Sequence, residues 1–263
     1  MFVTIINDCR DDNVMGRQTT RAAKLFGNVP IHTVGIEWNE LEAAGNLIDM
    51  IDASDHEEGV IMVNVAPRYG RGKKWPNGTP FGFFWYKRTL IVSTIAEQTL
   101  SLAKKFGLAK ELQLTDITTV VETMIKRGKL NPDLREIITN SQFRSYDYMP
   151  RLAKWVWEGE EIPSETYSFE QVEDVKPTVW WVDNFGNCKT TVLPQEIGFE
   201  PGKKIKTKFG EMMCYKHLKD LPNDEAGLII GSSGLRDRRF LEIVVQGQSA
   251  AEHFGLKVGD EVF

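Results

Sequence analysis

Three short stretches carry side chains whose types and spacing could bind a small molecule. Asp8-Cys9-Arg10-Asp11-Asp12 follows an apolar run. An aspartate at the carboxyl end of a strand can accept both hydroxyls of a ribose, because a carboxylate offers about four acceptor sites. The same stretch suits a helix N-cap, with Asp11 or Asp12 ahead of a helix near Val14. Asp12 fits the cap, and Asp8 fits either role. In the second stretch, Val182-Asp183-Asn184-Phe185-Gly186-Asn187, the spacing alone reads as turn chemistry. Its carboxylate, aromatic face and amide could also bind an ammonium, stack a base and read that base's edge. The third, Gly231-Ser232-Ser233-Gly234, reads as a flexible polar loop whose hydroxyls and amides could hold a carboxylate. Arg68, Arg71, Lys73, Lys74 and Arg144 fall in expected loops, as solvated surface or as an attraction for an anion. No phosphate loop, dinucleotide fingerprint, GxSxG or HExxH pattern occurs, and His32, His56, His217 and His253 are scattered.

The elements that must position these residues follow from periodicity. Strands are predicted at Phe2 to Ile6, Pro30 to Val34 and Gly59 to Val65, and helices at Val14 to Phe26 and Glu37 to Ile51. Gly27-Asn28 stops the first helix, and the second places Leu41, Ala44, Leu47, Ile48 and Ile51 on one face. Arg68 to Pro80 reads as a loop, Phe83 to Ser93 as a strand and Glu97 to Phe106 as a helix. That order predicts an α/β domain with a mostly parallel sheet and helices on both faces. Asp8 and the Ala66–Arg71 loop then fall at strand carboxyl ends, where such sheets bind ligands. Residues 159–177 read as an acidic linker with two prolines. Beyond them come short strands, Val179 to Val182, Lys203 to Phe209, Gly227 to Ile230 and Phe240 to Val245, with no long helix. The expectation is an N-terminal domain over 1–158 and a smaller all-β barrel over 178–263.

Composition narrows the function. The chain has 263 residues, 41% hydrophobic and 26% charged, and a net charge of -5. It is an ordinary globule large enough for a core without disulfides or metals. An acidic balance argues against nucleic acid as the main partner. Cys9, Cys188 and Cys214 are odd in number and far apart, which predicts neither a disulfide framework nor a metal site and suits a reducing cytoplasm. No apolar run approaches the ~20 residues of a membrane span, and the N-terminal run is too short for a signal peptide.

Together these segments resemble the S-adenosyl-methionine hydroxide adenosyltransferase and fluorinase/chlorinase family. Trp181-Val182-Asp183-Asn184-Phe185-Gly186-Asn187 is similar to its I-D-x-F-G-N segment. Ser232-Ser233-Gly234 with Phe240 to Ala251 resembles its S-x-G…LEIAVNxGxAA ending, and Leu256 to Val262 continues it. Asn7 to Gly16 resembles T-D-F-G-x-x-D-x-Y-V-G with one residue deleted. The resemblance implies an α/β domain plus a β-barrel, and a cytoplasmic homotrimer with S-adenosyl-methionine held between subunits as substrate, without a cofactor or metal. Asp8 would hold the ribose hydroxyls and Trp38 would pack on the ligand. Asp183 and Ser232 would hold the methionine amino and carboxylate groups, and Phe185 and Asn187 would contact adenine. The implied reaction is in-line displacement of methionine at the ribose 5′ carbon by water/hydroxide or a halide.

The chain departs from that pattern where the hydroxide-using members activate water. Ala66 stands at the Asp of D-P-G-V-G-T-x-R, and Lys73 at its Arg unless Arg71 substitutes. Arg144 stands at the His of F-H-G-R-D, followed by Ser145. Arginine is no general base near neutral pH, and alanine has no carboxylate. Arg68, Lys73 and Arg144 could build a cationic pocket for an anion, and Lys73, Arg144 and Ser145 are the catalytic candidates, with the nucleophile, water/hydroxide or halide, left open. The alternative is a non-catalytic S-adenosyl-methionine or adenosine binder, and a third is an assembly protein that keeps only the trimer.

Overall fold

Strands at the N-terminal end are apolar on both sides, and the helices between them supply the cover. The computed structural model describes residues 1–37, 39–66 and 78–263. The chain divides into two compact units, Met1–Glu173 and Asp174–Phe263. The first runs β1 (Phe2–Asn7), α1 (Asp12–Phe26), β2 (Ile31–Gly35), α2 (Glu40–Ala53), β3 (Gly59–Asn64), β4 (Phe81–Tyr86), β5 (Thr89–Thr94), α3 (Ser101–Phe106) and β6 (Glu111–Thr115). Then follow α4 (Ile117–Lys126), α5 (Arg135–Thr139), α6 (Arg144–Asp147), α7 (Met149–Trp157) and β7 (Glu165–Ser168).

Its sheet has seven strands in the order β2-β1-β3-β5-β4-β6-β7. Pairs β1–β2, β1–β3 and β3–β5 are parallel, whereas β4–β5, β4–β6 and β6–β7 are antiparallel. The sheet is therefore mixed, not mostly parallel as predicted. The run expected as one strand, Phe83 to Ser93, is a hairpin folded at Lys87-Arg88, with Tyr86 opposite Thr89. Lys87, at φ 53°, supplies the positive dihedral a two-residue turn requires. The stretch read as an acidic linker contains β7, which pairs with β6 as the sheet's last strand.

Alternation of side chains gives the sheet two covered faces. Val3, Ile5, Val60, Met62, Leu90 and Val92 form one core with Ala22 and Phe26 of α1 and Leu152, Ala153 and Val156 of α7. The helix α2 packs on β1 and β3 and buries Leu41, Ala44, Leu47, Ile48 and Ile51. α1 begins at Asp12, slightly earlier than the expected Val14. Its N-cap is Asp11, whose carboxylate accepts the Val14 N–H at 3.0 Å.

The second unit runs β8 (Val179–Val182), β9 (Cys188–Thr190), β10 (Lys204–Thr207), β11 (Gly210–Tyr215), β12 (Ala226–Leu235), β13 (Arg238–Val245) and α8 (Ala250–Phe254). One six-stranded sheet takes the order β10-β11-β12-β13-β9-β8. No ladder joins β10 to β8 among the described residues, so the pairing does not close the predicted barrel. The C-terminal tail spans that gap. Val179 N–H donates to the Asp260 carbonyl, Lys208 N–H donates to the Val262 carbonyl, and Thr178 bridges Glu261. The Glu261 carboxylate accepts from Lys208 at 2.6 Å and Lys176 at 3.0 Å. Among the described residues, no helix is long and apolar enough to cross a membrane.

Candidate functional site

Parallel pairing of β1 and β3 sets Asn7 opposite Asn64 at the carboxyl ends of both strands. Two asparagines cannot be left unpaired in a dry interior, and a connected polar chain satisfies them. Asn64 Nδ2 donates to Asn7 Oδ1 at 2.9 Å and to Asp8 Oδ1 at 3.3 Å. Asn7 Nδ2 donates to the Cys9 carbonyl and to Gln18 Oε1, both at 2.8 Å. Gln18 Nε2 in turn donates to Ser145 Oγ at 3.0 Å. Asn7, Gln18 and Ser145 are 2%, 1% and 4% exposed. The chain thus ties α1 and α6 to the strand ends and brings Ser145 to the end of the sheet where Asp8 sits.

Asp8 lies just past β1 and is 9% exposed. Its Oδ2 accepts the Ala66 N–H at 2.9 Å, and the Cys9 thiol donates to Oδ1 at 3.6 Å. The carboxylate fixes the start of the segment after β3. Asp8 is thus a strand-end carboxylate and not a cap, since Asp11 takes the capping role.

Arg144 was expected in a loop, but it opens α6. Its Nη1 donates to the Thr79 carbonyl at 2.8 Å, and the guanidinium lies 5.6 Å from the Phe81 ring centroid. Burial pulls its pKa below the ordinary arginine value, yet so basic a group keeps its charge. The Thr79 hydroxyl is buried and has no hydrogen-bond partner among the described residues. A desolvated cation thus lies beside the residue that carries an unsatisfied hydroxyl. Ser145 accepts its bond from Gln18, which leaves its own O–H able to donate. Lys73 and Trp38 lie outside the described residues.

In the second unit the turn between β8 and β9 is built around Asp183. Its Oδ1 accepts the Phe185 and Asn187 N–H groups, each at 2.9 Å, and Oδ2 accepts from Asn187 Nδ2 at 3.0 Å. Gly186 has φ 81° and sits against Ser249; a Cβ there would fall 2.8 Å from the Ser249 Cα, so only glycine fits. Phe185 is thereby pushed outward, 73% exposed. With Asn187, Leu218 and the Val245–Ser249 turn it lines a cleft of about 480 Å³. The bond to Asp183 orients the Asn187 amide and turns its carbonyl oxygen away from that carboxylate. One loop therefore presents an exposed ring face beside an oriented side-chain amide.

The polar loop expected at Gly231–Gly234 is instead an irregularity inside β12, between Ile230 and Gly234. Ser232 is exposed there, and its carbonyl accepts from Arg239 at 3.0 Å. The neighbouring Ser233 is the buried hydroxyl and accepts from Lys189 at 2.6 Å. Sequence reasoning missed Asn7, Gln18, Asn64 and Thr79. Gln18 had a readable signal, because it shares the core-facing stripe of α1 with Ala22 and Phe26 at four-residue steps. Among the described residues no cluster of histidine, cysteine or acidic side chains could hold a metal ion.

No curated protein matches the chain. Two solved structures share its fold over nearly their whole length. An uncharacterized conserved protein from Thermotoga maritima has a TM-score of 0.72 at 16% identity, covering 100% of both chains. A conserved hypothetical protein from Thermus thermophilus has a TM-score of 0.64 at 17% identity, covering 98% of this chain and 97% of the other. Residues 177–263, which contain the Asp183 turn and the irregular strand β12, match the model of the SAM hydroxide adenosyltransferase C-terminal domain. The C-terminal unit is therefore similar to the C-terminal domain of SAM hydroxide adenosyltransferases.

Proposed function

We propose that the protein binds S-adenosyl-methionine and displaces methionine from its ribose 5′ carbon with an anion, hydroxide or halide. The observation that carries this reading is the Asp183 turn, which holds Phe185 outward and Asn187 in one orientation within a family-matched domain. In this reading Phe185 stacks on adenine and the Asn187 carbonyl oxygen accepts its amino group. Asp8 takes the ribose hydroxyls. Asp183 and Ser232 face the methionine amino and carboxylate groups, and Trp38 packs on the ligand.

The sulfonium leaves as neutral methionine, so departure requires no acid. The attacking atom must lose water and stand in line with the carbon–sulfur bond. Arg144 and the Ser145 O–H are donors, as is Lys73 by its type, and none of the three takes up a proton at neutral pH. Such a set favours a nucleophile that is already an anion over a water that must be deprotonated. A cation here also repels the sulfonium, by about 4 kcal/mol for a pair about 4 Å apart at an effective dielectric of about 20. The anion must therefore be bound before the sulfonium is tolerated.

The absence of a carboxylate at Ala66 favours a second reading, a binder that has lost the reaction. Incubation with S-adenosyl-methionine and a series of halides, followed by mass spectrometry, separates the two. Methionine with adenosine or a 5′-halo-adenosine supports the enzyme. Calorimetric binding without product supports the binder, and no binding of any adenosine compound ends both. Sedimentation tests the homotrimer that the family resemblance implies.

A further inference from the structure

The outer side of α1 carries a charge pattern that the proposed reaction does not use. Arg17, Arg21 and Lys24 recur at four- and three-residue steps and face one direction on the helix. With Arg151 of α7, Tyr146 of α6 and Thr20 they line a cleft of about 650 Å³. Asp12 is the one carboxylate lining it among the described residues. Four cations thus converge on one patch of a chain whose net charge is -5.

The packing concentrates that charge rather than neutralising it. The Arg17 and Arg21 guanidinium carbons both lie over the Tyr146 ring, 4.6 and 4.2 Å from its centroid, and Arg17 also lies over Phe143 at 4.9 Å. Arg21 Nη2 donates to the Tyr146 hydroxyl at 2.7 Å. Its Nη1 is sealed from solvent with no acceptor among the described residues. Arg151 donates to the Asp147 carbonyl, while Asp147's own carboxylate accepts from Ser141. Burial and the nearby Arg21 charge push the Arg151 pKa down, against a smaller opposing pull from the Asp147 carboxylate. None of the four cations forms a salt bridge among the described residues. A buried charged donor without an acceptor is costly, and planar guanidiniums match phosphate oxygens two at a time.

From this geometry we infer that the α1–α6–α7 cleft is a binding site for a compact polyphosphate anion. Four cations and the Thr20 hydroxyl match a ligand with two or more phosphate groups, and the volume exceeds what one phosphate fills. The Arg17 and Arg21 guanidiniums lie over the Tyr146 ring and would compete with a nucleobase for it. The ligand class is therefore a pyrophosphate or a bisphosphorylated small molecule and not a nucleotide read through its base.

Calorimetry on the intact chain with inorganic pyrophosphate, without S-adenosyl-methionine, tests this independently of the proposed reaction. Saturable one-to-one binding is expected, weakening steeply with added salt. Arg21→Gln and Arg151→Gln should each weaken it at least tenfold, and Lys257→Gln in the other unit should leave it unchanged. ADP should bind no more tightly than pyrophosphate. Where a buried-arginine variant does not fold, as judged by circular dichroism, the exposed Arg17→Gln carries the same expectation. No saturable binding, or equal affinity in the Arg17→Gln and Lys257→Gln variants, overturns the site. Tighter binding of ADP overturns the ligand class.

Discussion

Replacing Asp183 by asparagine separates the turn's architecture from its recognition. The carboxylate accepts three hydrogen bonds, two from backbone N–H groups on Oδ1 and one from the Asn187 amide on Oδ2. Asparagine keeps an oxygen at the first position, so both backbone bonds survive as neutral ones. At the second position an NH2 would face the Asn187 NH2, a donor against a donor. Rotation of the Asn187 amide by a half turn restores that bond. The net cost is then the loss of charge assistance in three bonds, about 1 kcal/mol in a half-buried turn. Alanine loses all three bonds, about 2–3 kcal/mol. Hydrogen exchange of the Phe185 and Asn187 amides reads this directly. Asp183→Asn should speed both by up to about tenfold, and Asp183→Ala by roughly thirty- to a hundred-and-sixtyfold. The flipped amide has a second consequence, since Asn187 would now present a donor to the base. Asp183→Asn should weaken adenosine binding and favour inosine, whose ring carries a carbonyl in place of the amine. Unchanged amide protection in Asp183→Ala would refute the structural half of this reasoning. An undiminished preference for adenosine in Asp183→Asn would refute the recognition half.

Other consequences are simpler to state. Gln18→Leu removes one of the Asn7 partners and the Gln18 bond to Ser145 in a dry interior, so chemical denaturation should show a loss of about 1–3 kcal/mol; a change within about 0.5 would mean the chain of amides is not structural. Hydrogen bonds from Lys208 and Lys176 hold the Glu261 carboxyl down to about 2. Its contribution is present above the ordinary glutamate range and is lost as pH falls toward about 2, so the urea midpoints of wild type and Glu261→Gln should converge there. A gap between them that ignores pH would count against that ion pair. Cys188 and Cys214 are fully buried, and burial raises both thiols, with Asp183, Asp260 and Glu242 helping push Cys188 up to about 12. Iodoacetamide at pH 8 should therefore label only Cys9 in the native protein. Adenosine should slow that labelling, because the Cys9 thiol touches Asp8.

What could be read from the sequence was whatever one segment encodes by itself. The β1-α1-β2-α2-β3 run follows from apolar strands alternating with stripes at helical spacing, and Gly27 at φ 76° closes α1 as its type suggests. The hairpin at Lys87-Arg88 was hidden because its turn contains no glycine, asparagine or aspartate, the usual marks of a positive dihedral. Strand β7 was hidden because Glu165 and Thr166 are exposed and Tyr167 and Ser168 only half-buried, so its apolar content is low. Backbone pairing with β6 at the sheet's edge makes it a strand. At the site the divide is the same. The Asp183 turn is written in five consecutive residues and was legible. The Asn7–Asn64 pair depends on register between strands more than fifty residues apart, which no local pattern reveals.

Where the polar groups go also separates scaffold from site. Asn7, Gln18 and Asn64 spend their capacity on one another, so their substitution acts first on stability. Asp183 spends most of its capacity on its turn in the same way, and there it also orients the Asn187 amide. Among the described residues, groups whose capacity is not absorbed in this way include the Thr79 hydroxyl beside the Arg144 anchor, the Ser145 O–H, the Asn187 carbonyl oxygen and the exposed ring of Phe185. A buried hydroxyl without a partner costs stability and is retained where a ligand atom can meet it. Neither the Arg144 guanidinium nor the Thr79 and Ser145 hydroxyls would deprotonate water. In the proposed reading, the absence of a carboxylate at Ala66 and the donor character of Arg144 and Ser145 both favour a nucleophile that arrives already charged.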